Sequence, residues 1–186
     1  FFSYIGGSMI FFSNFALMIQ VTIQDSRLQN AAKEGMDGFV QVFIDAITES
    51  IGGQLTQENM SMLNADQITL IAYSMLREEV MDGGFIQLIH NGLGQFIFFN
   101  PFEKAIAAWG MDDFARLIKK GRKAYLKHRA EIERECTDEE FMAMFEMMPE
   151  FDDLDDDFVA NEEQWTSQIA YYIDENIEKF AVITKD

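Results

Sequence analysis

From residue 25 onward, apolar side chains recur every three to four positions, and strong stop signals cut that recurrence into segments. Such a pattern builds helices and leaves little room for sheet. Val40, Phe43, Ile44, Ile47 and Ile51 form one face, closed by Gly52–Gly53. Asn64 with Gln67 is a capping box, and Ile68, Ile71, Ala72, Met75, Leu76 and Val80 follow it up to the stop at Gly83–Gly84. A short helix is predicted over Phe85–His90, closed by Asn91–Gly92. Asn100–Pro101–Phe102–Glu103 opens the next, which buries Phe102, Ile106 and Trp109 and stops at Gly110. The longest helix is predicted over Asp112–Arg134, with Phe114, Leu117, Ile118, Gly121, Tyr125, His128 and Ile132 facing inward. Thr137 and Glu140 form another capping box ahead of Phe141, Met144, Phe145 and Met148, and Pro149 ends that helix. The acidic stretch 150–163 reads as a connection to a last helix that presents Trp165, Ile169, Ile173, Ile177 and Phe180 to the core. Alternating strand patterns are confined to Gln20–Gln24 and Gln95–Phe99, where at most a short strand or hairpin is expected. The reading is all-α, a single multi-helix domain over residues 25–186 preceded by an apolar segment over 1–24.

Charge supplies the functional clue. The net charge is −18. Residues 131–186 hold nineteen carboxylates against Arg134, Lys179 and Lys185, whereas residues 112–130 are net +5. A folded surface this negative repels nucleic acid and attracts what normally holds it. Duplex DNA carries one charge per roughly 1.7 Å, so eighteen charges match about 30 Å of duplex. A compact chain of this length has a radius of gyration of about 16 Å, a comparable size. The bland alternative is an acidic, well-solvated surface with no mimicry.

Residues 1–24 contain no charge. They are long enough to cross a membrane, but Gly6, Gly7, Ser8, Ser13 and Asn14 interrupt the run, and no Lys or Arg flanks its start. Burial within the chain, or between two copies in a homodimer, is preferred to a membrane or export segment. A third reading starts the native chain at Met18. The single cysteine, Cys136, excludes an internal disulfide and a thiolate metal cage, which fits a reducing cytoplasm.

The run Glu79–Val80–Met81–Asp82–Gly83–Gly84–Phe85–Ile86–Gln87, followed by Asn91–Gly92, resembles a bacterial family of all-α proteins classed as domain of unknown function 4375. That family's pattern is a glutamate ending one helix, a Gly-Gly-Phe turn, a glutamine, and an asparagine closing the next helix. The stretch Phe151–Asp155 and the closing helix ending at Phe180 also resemble it, so the likeness spans 63–183. It implies an all-α fold and directs attention to Glu79, Gly83, Gly84, Phe85, Gln87 and Asn91, as structural or site residues. One member is a Neisserial DNA mimic whose negative surface occupies a helix-turn-helix-type transcription factor. The resemblance thus implies a DNA-mimic role, and the charge agrees with it.

Asp152, Asp153, Asp155, Asp156 and Asp157 form the densest acidic run. A calcium loop starting at Asp153 fails, because its sixth and twelfth positions hold Phe158 and Gln164 in place of Gly and Glu. Asp174 and Glu178 stand four apart on the predicted last helix, with Glu175 beside them, about 6 Å from one another. Neighbouring phosphates on one strand are similarly spaced. With Glu162 and Glu163, these are the expected partner-binding acids. Arg116, Lys120, Lys123 and Lys127 line one helix face, with Lys119 and Arg122 adjacent, and are expected to dock the acidic segment. His128 falls on the core stripe. Gln87, His90 and Asn91 could form a polar site, although helix capping explains them more simply. No metal-binding, phosphate-binding or nucleophile motif occurs. The expectation is a cytoplasmic, non-enzymatic, cofactor-free protein that binds a basic DNA-binding protein, such as a transcription factor, and competes with DNA without contacting nucleic acid itself. The rivals are an inhibitor of a basic nuclease or toxin, an enzyme or metal site around Gln87, His90 and Asn91, and a membrane-associated protein held by residues 1–24.

Overall fold

The computed structural model describes residues 18–186. Most of the apolar segment, residues 1–17, lies outside that range, and with it the expectations of burial, homodimer formation or membrane insertion placed there. The described residues form β1 (Thr22–Gln24), α1 (Asp25–Lys33), α2 (Met36–Ser50), α3 (Gln57–Met60), α4 (Ala65–His90), α5 (Gly94–Phe99), α6 (Phe102–Ala108), α7 (Asp112–Ile132), α8 (Asp138–Met147), α9 (Asp152–Glu175), α10 (Ile177–Phe180) and β2 (Val182–Thr184). The fold is all-α.

The central helix α4 packs against α2, α5, α6, α7 and α9, and its side chains Leu70, Leu76, Phe85, Ile86, Leu88 and Ile89 are all buried. Its capping box is formed as expected: Asn64 accepts from the Gln67 N–H at 2.9 Å, and the Gln67 side chain accepts from the Asn64 N–H at 3.0 Å. The same two side chains donate to the carbonyls of Lys179 and Phe180 at 2.7 and 2.9 Å, which ties the start of α4 to α10. The capping box at Thr137 and Glu140 also forms.

Gly83 and Gly84 break α4 as the sequence indicates. Both leave helical geometry, and Gly84 takes φ 75°, which a side chain would strain. The break frees the Phe85 N–H, and the Asp155 Oδ1 of α9 accepts from it at 2.8 Å. A methyl group at Gly84 would overlap that carboxylate, and one at Gly83 would overlap the Gln87 side chain.

Several expectations are corrected. Gln95–Phe99 is helical, because Ile97 and Phe98 are both buried where a strand would alternate them. The helix after Pro101 starts one residue late. Pro101 itself is the N-cap, and no side chain caps it. The basic helix α7 ends at Ile132 and is shorter than α4 and α9. Thr22–Gln24 is a strand, but its partner is Val182–Thr184, parallel and not a hairpin. Val21 just before it and Ile23 within it are buried. The acidic stretch is no connection: from Asp152 it is the first half of α9. Asn176 ends that helix, so Asp174 and Glu178 lie on different elements, and their expected four-residue helical spacing does not exist.

Candidate partner-binding surface

Helix α9 owes its existence to a stripe that the acids conceal in the sequence. Leu154, Phe158, Trp165, Ile169 and Ile173 recur at helical spacing and are all buried. Trp165 stacks on Phe114 of α7 with ring centroids 4.5 Å apart. Asp152, Asp153 and Asp155 occupy the first turn, where the helix dipole favours negative charge by about 0.3–1 kcal/mol each.

With that face inward, Asp152, Asp153, Asp156, Asp157, Glu163, Asp174 and Glu175 are exposed on the other side. Asp152, Asp156, Glu163 and Asp174 fall at intervals of four, seven and eleven residues, close to whole turns, so they form one line. That line is about 33 Å long from the 1.5 Å rise, roughly the length of ten base pairs. Between Glu163 and Asp174, about 16 Å along the axis, the exposed side chains Gln164 and Tyr171 are neutral. The charge therefore sits in two clusters. Glu178 is exposed on α10, near the second.

Two of the ten acids expected to meet a partner turn inward. Asp155 is half-buried against Gly84, where burial pushes its carboxyl up to about 6, with Asp152 and Asp156 adding to the rise and the Phe85 N–H opposing it. Glu162 is 5% exposed. It accepts from Arg77 of α4 and from Thr166 Oγ1 at 2.8 Å. The Thr166 hydroxyl receives the Tyr73 hydroxyl at 2.5 Å, and Arg77 also reaches Asp37 of α2 at 2.7 Å. Burial pushes the Tyr73 phenol up to about 12. This chain of polar groups seals α2, α4 and α9 together. Asp155 and Glu162 thus hold the helix in place.

The pairs Gly84–Asp155 and Arg77–Glu162 also set α4 and α9 antiparallel, seven residues apart on each helix. Glu78 and Asp82 are exposed on the stretch of α4 that these two pairs bracket. Sequence reasoning missed both, because the register that sets that stretch against α9 spans more than seventy residues. One flank of α9 faces α7. Lys120 pairs with Asp157 at 3.2 Å, and Lys127 and His128 both bind Glu150. Lys127 and then His128 hold the Glu150 carboxyl down to about 2. Of the exposed acids of α9, only Asp157 is drawn to the basic helix. Arg116, Lys119 and Lys123 form no ion pair among the described residues.

The family-motif residues form a clamp across the helix break. Gln87 Nε2 donates to Glu79 at 3.2 Å and to Asp82 at 2.8 Å, and Asn91 Nδ2 donates to Glu79 at 2.8 Å. Phe85, behind the break, is fully buried. His90 does not join them. Its Nδ1 lies 2.8 Å from the Ile132 carbonyl, and its ring packs on Phe141. Among the described residues, no group of three or more His, Cys, Asp or Glu side chains is arranged to hold a metal, and no helix is long and apolar enough to cross a membrane.

Comparison with known sequences gives the family. The family model described as DMP19-like protein matches residues 61–176. The chain belongs to the DMP19-like family. A curated relative, DNA mimic protein DMP19 of Neisseria meningitidis serogroup B (strain ATCC BAA-335 / MC58), is 32% identical over 131 residues, 70% of this chain and 79% of the relative. The DMP19-like match begins in the turn before α4 and ends just past α9, and so encloses the break, the clamp and the acidic line.

Proposed function

We propose that this chain binds a basic DNA-binding protein by imitating the charge of DNA, and competes with DNA for it. One observation carries this reading: a rigid helix presents seven carboxylates on its outer face over about 33 Å. Stiffness matters because disordered acids would give up affinity to ordering entropy. The name of the Neisserial relative supports the same role. The binding acids are Asp152, Asp153, Asp156, Asp157, Glu163, Asp174, Glu175 and Glu178, with Glu78 and Asp82 joining them from α4. The role is non-enzymatic: the partner's Lys and Arg side chains meet carboxylates in place of phosphates. A transcription factor is the partner type this reading favours, and a DNA-bound partner puts the pair in the cytoplasm.

The test is affinity capture on the full chain at low salt, followed by elution with rising NaCl and, separately, with a short duplex. A basic, DNA-binding protein released by both is the expected result. Capture that survives high salt, or a partner that holds the chain and DNA together, overturns it.

A further inference from the structure

A groove runs along α4, beside α2 at one end, where Thr166 of α9 also lines it. It consists of three open clefts of 410, 540 and 440 Å³. The first two share Ile44, Ser74 and Glu78, and the last two share Leu55, Met75 and Leu93, so the clefts are continuous. The end nearer α9 has acidic walls, from Asp37 and Glu78, and the exposed Met81 on its rim. The far end is uncharged and mainly apolar, with Met60, Phe96 and the 48% exposed Phe99 beside Gln57 and Gln95. The cation at the acidic end, Arg77, is already bound to Glu162 and Asp37.

We propose that this groove receives the apolar face of an amphipathic basic helix of the partner, while the basic side of that helix meets the acids of α9. The proposal rests on the DNA-mimic reading and names what the partner must present. Charge complementarity selects the occupant, because acidic walls leading into an apolar trough fit a helix with Lys or Arg on one side and apolar anchors at i, i+3, i+4 and i+7. Energetics gives the groove a purpose. Exposed ion pairs contribute about 0–1 kcal/mol each, and DNA offers a denser row of charge than seven carboxylates over 33 Å. A mimic that must outbind DNA needs contacts that DNA cannot make, and burial of apolar side chains supplies them at about 25 cal/mol per Å². That part of the affinity resists salt, whereas the ionic part does not.

The test uses the full chain and two fluorescein-labelled synthetic helical peptides of equal positive charge. One carries four leucines at the anchor spacing, and the other carries glutamine at those positions. Anisotropy titrations at low salt and at about 0.3 M NaCl, where the Debye length is about 5–6 Å, should show both peptides binding at low salt. At high salt the leucine peptide should bind about ten-fold tighter. Changing Phe99→Lys with Met60→Lys should abolish that difference, while Asp156→Lys with Glu163→Lys should weaken both peptides alike. If the double groove variant fails to fold by circular dichroism, Phe99→Gln alone, at a position already 48% exposed, should weaken the leucine peptide and leave the glutamine peptide unchanged. Equal binding of the two peptides, still sensitive to salt, overturns the groove and leaves the mimic reading standing. Failure of both peptides to bind at low salt overturns the groove and the mimic reading together. Binding of the leucine peptide only after Phe11→Ser with Phe12→Ser in the full chain would make the chain's own apolar start the occupant, and also overturns the proposal.

Discussion

Replacing Asp155 by asparagine should stabilise this protein at neutral pH, although it removes a carboxylate from the first turn of a helix. The folded-state value of about 6 lies two units above the usual carboxylate range near 4. A carboxyl raised on folding costs nothing below the unfolded value. The cost grows as pH climbs from about 4 to 6 and is complete above that. Two units correspond to about 3 kcal/mol. Asp155 still reaches water, so screening reduces this to about 1–2 kcal/mol. Asparagine keeps an oxygen for the Phe85 N–H at 2.8 Å but carries no charge to desolvate. Loss of the favourable dipole interaction takes back about 0.3–1 kcal/mol, leaving a gain of about 1 kcal/mol at pH 7. Urea unfolding of both proteins from pH 4 to 8 reads this directly. The curves should meet, or cross, near pH 4, diverge through pH 6 and run parallel above it. Asp155→Ala separates charge from hydrogen bonding, since it strands the Phe85 N–H at about 1–3 kcal/mol and should be less stable than Asp155→Asn at every pH. A difference between wild type and Asp155→Asn that does not change with pH, or a clear loss of stability at pH 7, would refute the reasoning.

Gly84→Ala combines a φ of 75° with overlap of the Asp155 carboxylate, and should lower stability by about 1–3 kcal/mol, read as a fall in melting temperature. Arg77→Met leaves Glu162 buried without its charge partner and should cost about 3–5 kcal/mol; adding Glu162→Gln should recover much of that in a denaturant melt. Lysine at Asp152, Asp153 and Asp156 together should weaken capture of a basic partner and flatten its dependence on salt, while circular dichroism shows the helices intact. Lys120→Ala removes an exposed pair with Asp157 and should change stability by no more than about 1 kcal/mol in the same melts.

The helical architecture was legible wherever short-range chemistry decides the outcome. Both predicted capping boxes and the Gly83–Gly84 break form because their hydrogen bonds and backbone angles lie within a few residues of one another. The start of α9 was not legible as helix, because five aspartates in six positions hide the spacing of Phe151, Leu154, Phe158 and Trp165. That same spacing held the missed signal in the site: Asp155 and Glu162 occupy the apolar stripe, seven residues apart, where an acid must find a buried partner. Those partners, Phe85 and Arg77, are set by packing between helices distant in the chain, which local patterns do not encode. The eight remaining acids face solvent because the residues between them are the ones the core needs. Glu78 and Asp82 went unnoticed for the reason Arg77 did.

The parallel pairing of Thr22 with Val182 has a consequence for how the domain comes into being. At about 5–20 residues per second of synthesis, β1 leaves the ribosome roughly 10–30 s before its mate. Throughout that interval Val21 and Ile23, both bound for the interior, have no edge to latch onto. The closing ribbon is therefore among the last parts to form, after the helices that make up most of the core are already synthesised.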